Sequence, residues 1–70
     1  MAEITAPMTG KVIDILINVG DQVKTDDEVL ILEAMKMEMP IVSEDDGVVK
    51  EIRCKKDDTV DSGAVLVVIE

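Results

Sequence analysis

The sequence predicts an all-β domain, a small sandwich or flattened barrel of antiparallel strands built from two similar halves. Three observations lead there. Eight Ile and 11 Val put 19 β-branched aliphatic side chains among 70 residues, and branching at Cβ restricts χ1 in a helix while suiting a pleated surface. No segment sustains a 3.6-residue apolar period; short apolar runs alternate instead with Gly, Pro and Asp turns at regular spacing. Residues 10–33 also align with residues 47–70 at a constant offset of 37 without a gap. Gly10 meets Gly47, Val12 meets Val49, Ile15 meets Ile52, Asp21 meets Asp58, Val23 meets Val60 and Glu33 meets Glu70, six identities in 24 pairs. Most other hydrophobic positions find hydrophobic partners, so the repeat predicts a pseudo-twofold axis with each half supplying strands to both sheets. Residues 1–70 read as one domain with half-repeats of approximately 1–35 and 37–70.

Taken in order, Glu3 to Ala6 reads as a first strand, and Pro7 with Gly10 frames the turn after it. Lys11 to Val19 alternates imperfectly and Gly20-Asp21 closes it, while Gln22 to Lys24 is a very short strand before the turn Thr25-Asp26-Asp27. Glu28 to Ala34 is a nearly continuous apolar run, the mark of a strand buried at a sheet contact. Met37 to Ser43 is its partner, and Glu44-Asp45-Asp46-Gly47 is an acidic turn in which the glycine is expected to supply a positive φ. The second half repeats the plan: Val48 to Lys55, a turn at Lys56-Asp57-Asp58, a short piece at Val60, a turn at Asp61-Ser62-Gly63, and Val65 to Glu70.

Composition narrows the function. Seventy residues bury only about 60% of the unfolded surface, which leaves no room for an enclosed active site. Histidine is absent, so a His-based triad and the common His-containing zinc sites are excluded, and no nucleophile, base and orienting group come together. A formal charge of -9 does not suit nucleic acid or an anionic membrane surface. No run of eighteen apolar residues is present, Met-Ala-Glu lacks the features of a signal peptide, and the single Cys54 fits a reducing compartment, so the expected setting is cytoplasmic. The acidic groups Asp26-Asp27-Glu28, Glu44-Asp45-Asp46 and Asp57-Asp58-Asp61 lack the spacing of a calcium loop and read as solvated turns.

The chemistry concentrates at Glu33-Ala34-Met35-Lys36-Met37-Glu38, midway between the repeats. Strands on both sides leave Met35-Lys36 as a two-residue hairpin loop. Such loops take primed turns, which demand positive φ and favour Gly, Asn or Asp; neither residue fits. A local rule broken at a loop tip points to function overriding stability, and the turn holds Lys36 in water where another protein can reach it. Met35 and Met37 are flexible and polarizable enough to pack against several surfaces. Met39, at strand spacing from them, is expected simply to line one face of its strand. Glu33 and Glu38 bracket the hairpin, either to meet a basic partner or as a charged rim that keeps strands from pairing with other chains. Cys54 has Arg53, Lys55 and Lys56 beside it, which would lower its pKa, but a small residue filling a strand position is the plainer reading.

Ala34-Met35-Lys36-Met37 resembles the Ala/Ser-Met-Lys-Met tetrapeptide of biotinyl domains, the biotin carboxyl carriers of biotin-dependent carboxylases, decarboxylases and transcarboxylases. Ala6-Pro7-Met8-Thr9-Gly10-Lys11-Val12 is similar to that family's opening turn, and Gly20-Asp21-Gln22-Val23 with Val29 to Glu33 to its approach to the lysine. Gly47 and Val48 to Ile52 look like the start of its second half. Asp26 departs from the Gly usual there, and Asp57 replaces the Gly that its repeat partner Gly20 would predict. No segment between Val23 and Val29 corresponds to the protruding thumb of some bacterial carriers.

The resemblance implies two four-stranded antiparallel sheets with covalent biotin on Lys36 at a hairpin tip, recognised through Glu33, Ala34, Met35, Met37 and Glu38. It implies a biotin protein ligase, a biotin carboxylase and a carboxyltransferase or decarboxylase as partners, and a domain that catalyses nothing alone. Two other readings stand beside it. Lipoyl carriers share the fold and lysine position but usually show Asp-Lys-Ala at the tip, and an unmodified barrel would serve as a binding module with Lys36 incidental.

Overall fold

A computed structural model describes residues 2–70, so the expected first half-repeat is described from Ala2 onward. Eight strands follow in order: β1 (Ala2–Thr5), β2 (Gly10–Ile15), β3 (Gln22–Val23), β4 (Glu28–Ala34), β5 (Met37–Val42), β6 (Gly47–Ile52), β7 (Thr59–Val60) and β8 (Val65–Ile69). They form two four-stranded sheets, ordered β1-β8-β6-β3 and β5-β4-β2-β7, with every pairing antiparallel. Adding 37 to the residue numbers turns β1 into part of β5, β2 into β6, β3 into β7 and β4 into β8, so the first sheet order maps onto the second. Each half therefore contributes two strands to each sheet.

The loops show the same correspondence. Gly20 N–H donates to Val49 O and Val49 N–H to Asp21 O; their counterparts are Asp57 N–H to Val12 O and Val12 N–H to Asp58 O. Each half's loop thus grips the opposite half's strand. The Asp21 carboxylate accepts from Asn18 N–H and the Asp58 carboxylate from Lys55 N–H, both at 2.9 Å, a side-chain bond that closes the turn locally. Left-handed backbone occurs at Gly20 (φ 95°) and Asp57 (φ 75°), and at Asp26 (φ 74°) and Gly63 (φ 86°). The repeat therefore exchanges Gly and Asp at equivalent positions, which works because Asp tolerates this region better than most residues.

The two long expected strands end early. Lys11 to Val19 stops at Ile15 and Val48 to Lys55 at Ile52, because residues 16–19 and 53–56 leave one sheet and cross toward the other. Leu16 N–H donates to Val29 O and Arg53 N–H to Leu66 O at the crossing points. Ile17 and Cys54 occupy equivalent buried positions just beyond. Cys54 is consequently a core residue on a crossing segment, not a strand residue. Its thiol is pushed above its ordinary pKa, first by burial and then by the Asp58 carboxylate, so the basic neighbours do not activate it. Ser43 also lies past the end of β5, its hydroxyl turned onto Asp45 O at 2.5 Å.

Gly47 does not have the positive φ expected of it. A Cβ built there would lie 2.5 Å from Ile69 Cγ2 and 2.7 Å from Glu70 O; at Gly10 it would lie 2.5 Å from Glu33 O. Close approach of strands, not turn geometry, requires glycine at both. The core that results is aliphatic, with Val12, Val29, Leu30, Leu32, Leu66 and Val67 fully shielded. Consecutive buried residues on β4 and β8 accompany register irregularities between Glu28/Leu30 and Val49/Glu51, where bulges turn neighbouring side chains. Pro40 sits on edge strand β5 opposite Ile31, and counting from a two-residue hairpin its nitrogen faces away from β4, so it costs no ladder bond and discourages edge pairing.

Two outcomes test this construction. Gly47→Ala should lower stability by about 1–3 kcal/mol, since a methyl there overpacks against Glu70 backbone, and a urea melt would show the loss. Asp46 joins the β3–β4 and β5–β6 loops by accepting from Thr25 N–H at 2.7 Å and Thr25 Oγ1 at 3.0 Å, which holds its carboxyl below the ordinary 3.8, the backbone bond contributing most. The native state thus prefers ionised Asp46, and its stabilisation is present above the unfolded value and lost as pH falls through the lower native one. Asp46→Asn should be less stable at neutral pH, with a shallower loss of melting temperature on acidification.

Candidate functional site

Strands β4 and β5 meet in the hairpin the sequence predicts. Register runs Glu28↔Val42, Leu30↔Ile41, Ile31↔Pro40, Leu32↔Met39, Glu33↔Glu38 and Ala34↔Met37, leaving Met35 and Lys36 alone in the turn. Their φ values are 54° and 64°, the primed geometry that matches strand twist. Two consecutive non-Gly residues in this region cost about 1–2 kcal/mol each. Neither side chain recovers that cost locally: Met35 is 85% exposed and Met37 67% exposed, and among the described residues Lys36 enters no salt bridge. Ala34 is buried, and Met39 is half-buried and packs against the core.

The hairpin stands on a rigid base. Gly10 lies so close that its missing side chain leaves only 3.3 Å to Ala34 Cβ, and β4 is paired on both sides, by β2 and β5. Glu33 and Glu38 face each other across the strands with no ion-pair partner among the described residues. On the other side of Glu33 lies Lys11, its register partner on β2, which forms a 3.9 Å ion pair with Asp57. Nothing in the local sequence marks Lys11 as a neighbour of the hairpin, because the contact depends on pairing 22 residues away.

Residues 33–38 and their strand neighbours 10–12 and 57–60 hold two lysines and four carboxylates, and Arg53 pairs with Glu51. A cleft of about 250 Å³ opens between edge strands β1 and β5, over Ile4, Ile41 and Ile69 and beneath Glu3, Glu44 and Asp45. None of residues 33–38 lines it. The arrangement offers a reachable primary amine on a stiff projection, framed by apolar thioethers and carboxylates, with no enclosed cavity at the tip.

Residues 2–69 match the biotin/lipoyl family described as biotin-requiring enzyme. The chain is 43% identical over 63 residues to a biotin/lipoyl attachment protein of Bacillus subtilis, covering 90% of this chain and 86% of that one. It is 44% identical over 64 residues to a biotin carboxyl carrier protein of Streptococcus mutans, covering 91% of this chain and 49% of the relative. Among solved structures it is similar to the Kluyveromyces lactis urea carboxylase, at TM-score 0.92 and 35% identity, over 99% of this chain and 6% of that chain. It is also similar to the lipoyl domain of the 2-oxoglutarate dehydrogenase complex of Azotobacter vinelandii, at TM-score 0.83 and 32% identity, over 100% and 96% of the two chains.

If the hairpin holds its strain for function, relieving it should stabilise the domain. Replacing the loop by Asn-Gly through Met35→Asn with Lys36→Gly is expected to raise unfolding free energy by about 1–2 kcal/mol, measured by equilibrium denaturation.

Proposed function

Because the chain belongs to the biotin-requiring biotin/lipoyl family and is a carrier of covalent biotin, we propose that the biotin is joined to Lys36. The observation that supports this assignment most directly is a lone exposed lysine in a strained two-residue turn at the end of a paired hairpin. An ordinary lysine amine is almost wholly protonated at neutral pH. A biotin protein ligase therefore supplies the deprotonation and the activated acid: Lys36 Nζ loses a proton and attacks the carboxyl carbon of biotinyl-AMP, an amide forms and AMP leaves.

This chain's own part is positional. The turn keeps Nζ clear of the sheet, Ala34 fixes the turn on the core, and Met35 and Met37 give deformable apolar contacts to more than one partner. Glu33 and Glu38 add charge for docking. Once loaded, the arm on Lys36 shuttles a carboxyl group between a biotin carboxylase and a carboxyltransferase or decarboxylase, with tethering replacing free diffusion by a high effective concentration at each site. The domain catalyses neither half-reaction, and we place it in the cytoplasm, where its single buried thiol stays reduced. The similarity to a lipoyl domain gives a second reading, lipoylation of the same lysine.

Intact mass after incubation with ligase, ATP and biotin should rise by one biotinyl group, with no rise in Lys36→Ala. A lipoyl increment in a parallel reaction, with none from biotin, would move the assignment to the second reading.

A further inference from the structure

We propose that Lys11 is a partner-recognition residue, forming with Glu33 and Glu38 a bipolar strip beside Lys36 that a partner reads by the order of its charges. Antiparallel register sets Glu38 on β5, Glu33 on β4, Lys11 on β2 and Thr59 on β7 in one row across the sheet. All four are exposed, whereas Val12, Leu32 and Ala34 beside them are buried, so the row lies on the outer face. From β5 to β2 the charges run negative, negative, positive.

Opposite side chains in an antiparallel pair have Cβ atoms about 4.5–5.5 Å apart, and like charges placed there repel. The Glu33–Glu38 pair bears that repulsion at the base of a hairpin that is already strained, and Lys11, the register partner of Glu33, does not relieve it, since it turns to Asp57. With half of its side chain exposed and 3.9 Å of separation, that ion pair is weak and screened, so the Lys11 ammonium remains available to a partner. A surface with Lys or Arg over Glu33 and Glu38 and a carboxylate over Lys11 would satisfy the whole row and fix the rotation of the carrier as Lys36 enters a site.

The inference rests on Lys36 being the modified residue, and a biotin protein ligase with ATP and biotin is the probe. Lys11→Glu should lower kcat/KM for the domain by about tenfold through KM, with the effect shrinking at high salt; a third carboxylate beside Glu33 also lowers the melting temperature, so the rates are compared at a temperature where the variant is fully folded. Lys11→Arg should restore the rate, and Asp57→Asn, which leaves Lys11 unpaired, should match or exceed the parent. The exchange Lys11→Glu with Glu33→Lys keeps net charge but changes the order to negative, positive, negative, and should remain slow. Parent kinetics in Lys11→Glu, or full recovery in the exchange, would overturn the strip while leaving the Lys36 assignment intact; a parent domain that accepts no biotin would remove both.

Discussion

Backbone approach at Gly10 and Gly47 is the constraint on which the fold depends. With no Cβ, Gly10 lets β2 lie against Glu33 O, and Gly47 lets β6 lie against Glu70 O, at separations no side chain would allow. Around those contacts the loops of each half bond to the strands of the other, through Val12 and Val49 in turn. Two halves of about 35 residues, each too small to bury a core, thereby share one. Val12 and Val49 lie at the centre of it, and their N–H and C=O groups are satisfied by the opposite half's loop rather than by a sheet partner alone.

The same packing makes a strained tip affordable. Because β4 is held on both sides and Ala34 is buried, the turn cannot relax by peeling the hairpin open, and Met35 and Lys36 stay in the left-handed region. A stiff projection of this kind suits an amine that must enter other proteins' sites: the loss of freedom on docking has been met during folding. Exposure of Met35 and Met37 follows from position, since at the tip no second sheet remains to cover them.

Electrostatics divides the molecule by function. Near the hairpin, carboxylates and ammonium groups are interleaved by strand register, whereas the far loops gather Asp26, Asp27, Glu28, Glu44, Asp45 and Asp46 around one Thr25–Asp46 linkage. Surplus negative charge there favours solubility and resists non-specific association.

The sequence by itself determined the β class, the repeat, the hairpin and Lys36 as its tip, because these depend on local composition, on spacing and on a short motif. Tertiary structure alone decided that residues 16–19 and 53–56 cross between sheets, since apolar alternation does not record which sheet a segment joins. It decided that Cys54 is a buried, unactivated thiol and that Gly47 answers to Glu70 instead of to a turn, both consequences of contacts from distant parts of the chain. It also set Lys11 beside Glu33 and Glu38, because register between strands is fixed by the packing of all of them together and not by any one stretch of sequence.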